Sequence, residues 1–523
     1  MTFNHEKILN VLKTSLNKIA KKELLLSITR KDLSQYIEKV NLLKNSNSII
    51  KNLKFSTASL RSTPPKEDEA DSETIPKLEE NSPNINHILT TSQWKTEISK
   101  PLVLSQIKHI LASIEEAQTD SSFQARVGAF ITYIYKVPGA RIISVKEGAL
   151  RVLLNARERF KDKDLGPIRE ALALLGYTDP VPGKGIRILS IDGGGIRGLL
   201  VLEMLKKLEE LTGKRIYELF DLICGTSTGA ILTFSMGIHH KSMDEIAEVY
   251  LKISNEVFKQ SSLWGTGNLV WTQSFYSTPL WEKNLKTYLG DFRLIQTARD
   301  PLCPKLCAVS AVVNQSHLSA YLFRNYSLPW KVHSEYLGSS NHLVWEAARA
   351  SAAAPTYFEE FKLGDYIHQD GGILANNPTA IAIHEAKLLW PNHPIQCVVS
   401  FGTGRTVPYR AKNAPCDPSV NTTWKNKFMK IVDSATDTEG IHTILSDLLP
   451  DNVYYRFNPY LVEMISMVEI EEQKLEQMKR DAIMYLRRNE DKFIAAAKAL
   501  SEPKSYFQKQ SDWLRIKRDL YGF

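Results

Sequence analysis

The sequence predicts an α/β fold with a largely parallel central sheet, and three observations carry that expectation. Short β-branched runs alternate with amphipathic helical stretches between about residues 185 and 410. Two of those runs, 186–191 and 219–224, each pass through a glycine-rich turn into a helical pattern, as successive parallel strands do. The chain has 523 residues, 43% of them hydrophobic and 24% charged, which supports one large core with further segments around it.

Taken in order, residues 1–60 read as a basic amphipathic helical segment, with eleven Lys/Arg against four Asp/Glu. Ile8, Leu9, Leu12, Leu16 and Ile19 recur at helical spacing. Such a segment suits a lipid surface or a partner helix, with a merely solubilising helix as the plainer reading. No aromatic platform or base-reading motif accompanies the charge, so nucleic acid is not the expected partner. Residues 61–100 are polar, acidic and proline-containing, and are expected to form a disordered linker. Residues 101–180 read as a helical, repeat-like layer, because Leu104, Ile107, Leu111 and Ile114, then Leu153, Ile168, Leu172 and Leu175, recur at three and four.

The α/β domain is expected at 185–410, with a helix over 199–211 ended by Gly213 and later strands at 305–313, 319–323 and 395–400. Residues 411–523 read as a helical C-terminal region. One long charged helix is expected at 470–500, with Leu475, Met478, Ala482, Leu486 and Phe493 on one stripe, then a short basic tail after Pro503. No apolar run approaches the roughly 18 residues of a spanning helix, and the charged opening does not resemble a secretory signal. Cys224, Cys303, Cys307, Cys397 and Cys416 are odd in number and scattered, which argues for a reducing, intracellular compartment and against a disulfide framework or a zinc site.

Three motifs carry chemistry. Gly225-Thr226-Ser227-Thr228-Gly229 follows the G-x-S-x-G pattern of a nucleophile elbow, in which a strand turns sharply into a helix and presents a serine hydroxyl. Asp192-Gly193-Gly194-Gly195-Ile196-Arg197-Gly198 sits in a second strand-to-helix turn and has two readings. It satisfies the G-x-G-x-x-G of a dinucleotide site, but the next strand ends in the serine elbow where a ribose-binding acid would be needed. Alternatively its consecutive glycine amides form an oxyanion hole, with Arg197 contacting a lipid phosphate or pairing with a carboxylate. The third motif, His368-Gln369-Asp370-Gly371-Gly372, ends another predicted strand and offers a carboxylate at the sheet edge, or simply an Asp-Gly turn. A histidine base would be sought at His368, His384, His393 or His442.

In register, the three motifs resemble the patatin-like phospholipases, in their calcium-independent animal branch. Segments 185–198, 223–232, 323–326, 350–355, 368–378 and 400–405 carry the resemblance, which runs from about residue 102 to near the end. It implies a three-layer α/β/α domain and a Ser–Asp dyad without a histidine, Ser227 being nucleophile and Asp370 base. Gly193, Gly194, Gly195 and Arg197 would face the oxyanion, while Gly198, Gly225, Gly229, Gly371 and Gly372 shape the turns. It further implies hydrolysis of glycerophospholipid acyl esters at a bilayer surface without metal or cofactor. The address would be an intracellular membrane of the endoplasmic reticulum, mitochondrion or peroxisome, although the chain closes Tyr521-Gly522-Phe523 and not in a peroxisomal signal. Trp264, Trp271 and Trp281 are candidates for docking to lipid. A neutral-lipid esterase, or a membrane scaffold with a vestigial site, remain as rival readings.

Overall fold

The computed structural model describes residues 99–259, 276–406 and 438–521, apart from 138, 356 and 464. The basic segment 1–60, the linker up to residue 98, Trp264, Trp271 and Cys416 lie outside the described residues.

Five helices come first: α1 (Lys100–Glu116), α2 (Asp120–Lys136), α3 (Ala140–Lys146), α4 (Ala149–Arg159) and α5 (Gly166–Leu175). The three-and-four spacing turns Ile107, Ile114, Phe123, Phe130, Leu153 and Ile168 inward, and they form a core separate from that of the sheet.

The sheet begins with β1 (Ile186–Ile191), every residue of which is buried. Next come α6 (Gly198–Thr212), the single turn α7 (Ile216–Leu219), β2 (Leu222–Thr226), α8 (Thr228–His239), α9 (Met243–Lys259), α10 (Thr278–Leu289), β3 (Lys305–Val312) and β4 (Ser319–Arg324). They are followed by β5 (Leu337–Ser339), α11 (Val344–Ser351), β6 (Phe361–Leu363), β7 (Tyr366–Asp370), α12 (Gly372–Ala375), α13 (Thr379–Leu389), β8 (Ile395–Phe401) and β9 (Arg405–Thr406). The described chain closes with α14 (Thr438–Leu448), β10 (Tyr454–Phe457), β11 (Tyr460–Leu461), α15 (Glu472–Arg488), α16 (Glu490–Ser501) and α17 (Tyr506–Tyr521).

The strand order is β10-β8-β1-β2-β3-β4-β5, parallel from β10 to β3; β4 and β7 both run antiparallel to β3. Strand alternation sends Leu189, Ile191 and Ile223 into one apolar layer, with α6, α8, α9, α15 and α16, and Ile186, Ile188 and Leu222 into the other, with α13. This is the expected three-layer α/β/α arrangement with a mainly parallel sheet.

Four expectations are corrected. The second strand starts at Leu222, not 219, because 216–219 wind into α7; the carboxylate of Asp221 then accepts from Arg187, at 2.7 Å from Nη2 and 2.8 Å from the amide. No break in the sheet falls at residue 410, since β10, from the region read as wholly helical, pairs with β8. The single helix expected over 470–500 is two, joined at Asn489, whose side-chain amide donates to the Tyr485 carbonyl at 2.9 Å and so competes with the helical backbone. The tail after Pro503 forms α17, whose Leu520 is buried in the core of the helical layer.

Candidate active site

β2 ends at Thr226 and α8 starts at Thr228, which leaves Ser227 alone to make the turn. Its φ of 56° and ψ of −121° are costly for a residue with a side chain, and such strain persists only where neighbours over-determine it. Here they do. The Ser227 amide donates to Ser351 Oγ at 2.9 Å, and Ser351 Oγ donates in turn to the Val309 carbonyl at 2.6 Å. The turn is tight enough that a Cβ on Gly225 would lie 2.2 Å from the Gly229 carbonyl carbon, and one on Gly229 would lie 2.3 Å from the Ile191 oxygen.

The turn presents Ser227 Oγ to the carboxyl end of β7, where it donates to Asp370 Oδ2 at 2.5 Å. The other carboxylate oxygen accepts from the Gly372 amide at 2.7 Å. Asp370 is only 7% exposed, and burial raises its carboxyl to about 6 against the partial opposition of those two hydrogen bonds. A carboxylate made more basic by desolvation and touching a hydroxyl can accept that hydroxyl's proton.

Between β1 and α6 the glycine turn lies against the elbow: a Cβ on Gly193 would sit 3.1 Å from the Ser227 Cβ. The Gly193 amide donates to the Asn376 carbonyl at 3.3 Å, while the amides of Gly194 and Gly195 have no acceptor among the described residues. The turn is held on every side. Thr403 Oγ1 donates to the Gly193 carbonyl at 2.7 Å, the Ile196 amide to the Met467 carbonyl at 2.9 Å, and the Tyr250 hydroxyl to the Gly195 carbonyl at 3.0 Å. Tyr250 also bonds Thr228 Oγ1, so one phenol ties the glycine turn to the elbow helix. Behind the turn, Arg456 of β10 grips the buried carboxylate of Asp192 at 2.9 and 2.6 Å.

Over residues 189–383 the chain matches the family model for patatin-like phospholipase. Residues 189–383 are a patatin-like domain. The chain is also 46% identical over 398 residues to calcium-independent phospholipase A2-gamma of Rattus norvegicus, covering 76% of this chain and 50% of that protein. With its Homo sapiens counterpart it shares 45% identity over 405 residues, again 76% of this chain and 50% of the other. Phospholipase A I of Arabidopsis thaliana is 32% identical over 381 residues, or 60% of this chain and 28% of that one. The chain spans about half the length of the gamma-type relatives it matches.

Within the patatin-like domain, Ser227, Asp370 and the glycine turn converge as the three motifs predict. Two members of the expected oxyanion set are differently engaged: Gly193 spends its amide on Asn376, and Arg197 Nε donates to the Gly194 carbonyl at 3.2 Å, which fixes the shape of the turn. No candidate histidine touches the dyad. His368 Nδ1 bonds Ser310 Oγ at 2.9 Å among Tyr321, Phe323 and Tyr366, and burial lowers it to about 4, so it is neutral. His384 packs on Tyr336, His393 faces Asp512 at 3.5 Å, and His442 bonds Ser446 at 3.2 Å. Trp281 is buried in the core against Phe358 and is not free to dock on lipid. Ser351, Tyr250, Thr403 and Arg456 position the site without belonging to any motif. Among them only Ser351 and Thr403 fall within segments that carry the family resemblance.

Proposed function

We propose that the chain is a calcium-independent phospholipase that hydrolyses fatty-acyl esters of glycerophospholipids through a Ser227–Asp370 dyad. The observation that carries the reading is the 2.5 Å bond from Ser227 Oγ to a buried carboxylate beside the unbonded amides of Gly194 and Gly195. Ser227 Oγ attacks the acyl carbonyl as Asp370 takes its proton, and the oxyanion is received by the Gly194 and Gly195 amides. Collapse breaks the ester bond, and the lysophospholipid leaves with the proton from Asp370. Water, deprotonated by Asp370, then attacks the acyl-enzyme, releases the fatty acid and restores the serine. The names of the gamma-type relatives support both the substrate class and the independence from calcium.

A test is hydrolysis of diacyl phosphatidylcholine vesicles in excess chelator, with a fluorophosphonate probe mapped by mass spectrometry. Cleavage of an acyl ester together with labelling at Ser227 is expected. Labelling elsewhere, or preferred cleavage of triacylglycerol, sinks the assignment.

The base also sets a pH profile. With its carboxyl at about 6, Asp370 is ionised and competent above that pH, so kcat/KM should fall about tenfold per unit below it and level off above about 7. A profile flat down to pH 5 would mean an ordinary aspartate or a different base.

No described helix is long and apolar enough to cross a membrane. Val462 is 74% exposed, Tyr460 48% and Leu374 39%, and Leu374 follows directly on the Asp370 loop. We assign these exposed apolar residues to the face that enters the interface. Val462→Asp should lower activity on vesicles by about tenfold while sparing a water-soluble short-chain ester. Equal loss on both substrates would place Val462 outside the docking face.

A further inference from the structure

The short helix α12, which leads the chain away from Asp370, ends at Asn376, whose backbone carbonyl already accepts from the Gly193 amide. Its polar neighbours are spent on the fold. Thr226 Oγ1 donates to the Ala375 carbonyl at 2.9 Å, Thr403 Oγ1 to the Gly193 carbonyl at 2.7 Å, and Asn377 Nδ2 to the Thr438 carbonyl at 2.9 Å. The half-buried carboxamide of Asn376, by contrast, has no hydrogen-bond partner among the described residues.

The place of that carboxamide is nevertheless narrowly fixed. A Cβ on Gly193 would lie 2.5 Å from Asn376 Oδ1 and 3.1 Å from the Ser227 Cβ. A Cβ on Gly372 would lie 3.0 Å from Asn376 Oδ1 and 2.9 Å from Asp370 Oδ1. Asn376 Oδ1 is therefore no further from the nucleophile's side chain, or from the base, than the two lengths of each pair laid end to end. A water that donates to two acceptors bridges about 5–6 Å, which matches that reach. The atom turned towards the dyad is an acceptor, so it can hold a hydrogen and cannot receive an oxyanion.

The second half of the reaction needs such an acceptor. Once Ser227 Oγ is acylated it has no hydrogen to give, and Asp370 Oδ2 is free for the attacking water. That water has two hydrogens: one passes to Asp370, and the other must be held so that a lone pair faces the acyl carbon.

We propose that Asn376 is a catalytic residue of deacylation, its Oδ1 accepting the water hydrogen that Asp370 does not take. The inference rests on the Ser227–Asp370 reading above. The water oxygen bonds the acyl carbon as one proton passes to Asp370. Collapse breaks the bond from that carbon to Ser227 Oγ, which recovers the proton from Asp370, and the fatty acid leaves with the hydrogen that Asn376 held.

Methanol separates this role from a structural one, because it carries a single hydroxyl hydrogen and needs no second acceptor. With p-nitrophenyl butyrate in methanol–water mixtures, the acyl-enzyme partitions between butyrate and methyl butyrate. Asn376→Ala should shift that ratio about tenfold towards the methyl ester, the worth of about one hydrogen bond. Fluorophosphonate labelling of Ser227 should keep its rate, since it needs no hydrolytic water. If the alanine variant does not fold, Asn376→Leu, which fills the same space without an acceptor, decides. An unshifted ratio in the folded variant, or labelling slowed as much as hydrolysis, overturns the proposal and leaves the dyad standing. A parent protein that neither cleaves the ester nor labels at Ser227 overturns the dyad, and this inference with it.

Discussion

Asp370→Asn is expected to lose acyl-ester cleavage by on the order of 10²- to 10⁴-fold and, at pH 8, to be more stable than the parent protein. The first effect follows from removing the only carboxylate in contact with Ser227 Oγ among the described residues. The second follows from linkage. A carboxyl raised from 3.8 to about 6 on folding holds its proton more tightly in the native state than in the unfolded one. Native stability therefore falls as pH rises across that interval, and above it the ionised Asp370 costs about 3 kcal/mol. The asparagine amide is neutral at every pH, can accept from Gly372 and can donate to Ser227, so the cost disappears with no partner orphaned. Urea unfolding at pH 8 should show a gain of about 1–3 kcal/mol, shrinking as pH is lowered towards 4. Ser227→Ala provides the contrast: it removes a hydrogen bond that favours the carboxylate and should gain nothing at pH 8. An Asp370→Asn variant that is inactive but destabilised would mean that Asp370 holds the fold together and is not a strained base.

Arg456→Met is expected to destabilise the protein by about 3–5 kcal/mol, because it strands the buried carboxylate of Asp192 without its counterion. Arg456 also donates to Ser400 Oγ at 2.9 Å and to Glu439 at 3.1 Å, so its loss unties β1, β8 and α14 together. Pairing it with Asp192→Asn should restore a large part of the loss, since the remaining buried group is then neutral. A double-mutant cycle by chemical denaturation measures the coupling. If the single variant costs less than 1 kcal/mol, or the double variant merely sums the two singles, the pair is not what secures the glycine turn. Activity should follow the same order, because Gly193 to Gly195 hang directly from Asp192.

Ser227 was legible because its local requirements are severe, whereas Asp370, in a motif that reads equally as an Asp-Gly turn, was assigned only through the family resemblance. A strand that must reverse into a helix within one residue demands small neighbours at Gly225 and Gly229, and that demand is written within five positions. The central strands were legible for a similar reason: buried on both faces, they read as continuous apolar runs. Arg456 was not legible. Its role depends on a carboxylate 264 positions earlier, and the short strand Tyr454–Phe457 lies in a region whose composition reads as helix. The engagement of the Gly193 amide with Asn376 was hidden for the same reason, since a trio of glycines does not reveal which of its donors the rest of the chain will use. The break at Asn489 shows the reverse case, in which one side chain outweighs a strong periodic pattern by offering the backbone a competing bond.

The joining of β10 to the edge of the sheet has a consequence for synthesis. A ribosome releases the elbow, the carboxylate and the glycine turn long before it releases the arginine that locks Asp192 in place. Until that late strand emerges, the growing chain holds Ser227, Asp370 and the glycine turn yet lacks the arginine that clamps Asp192 behind that turn.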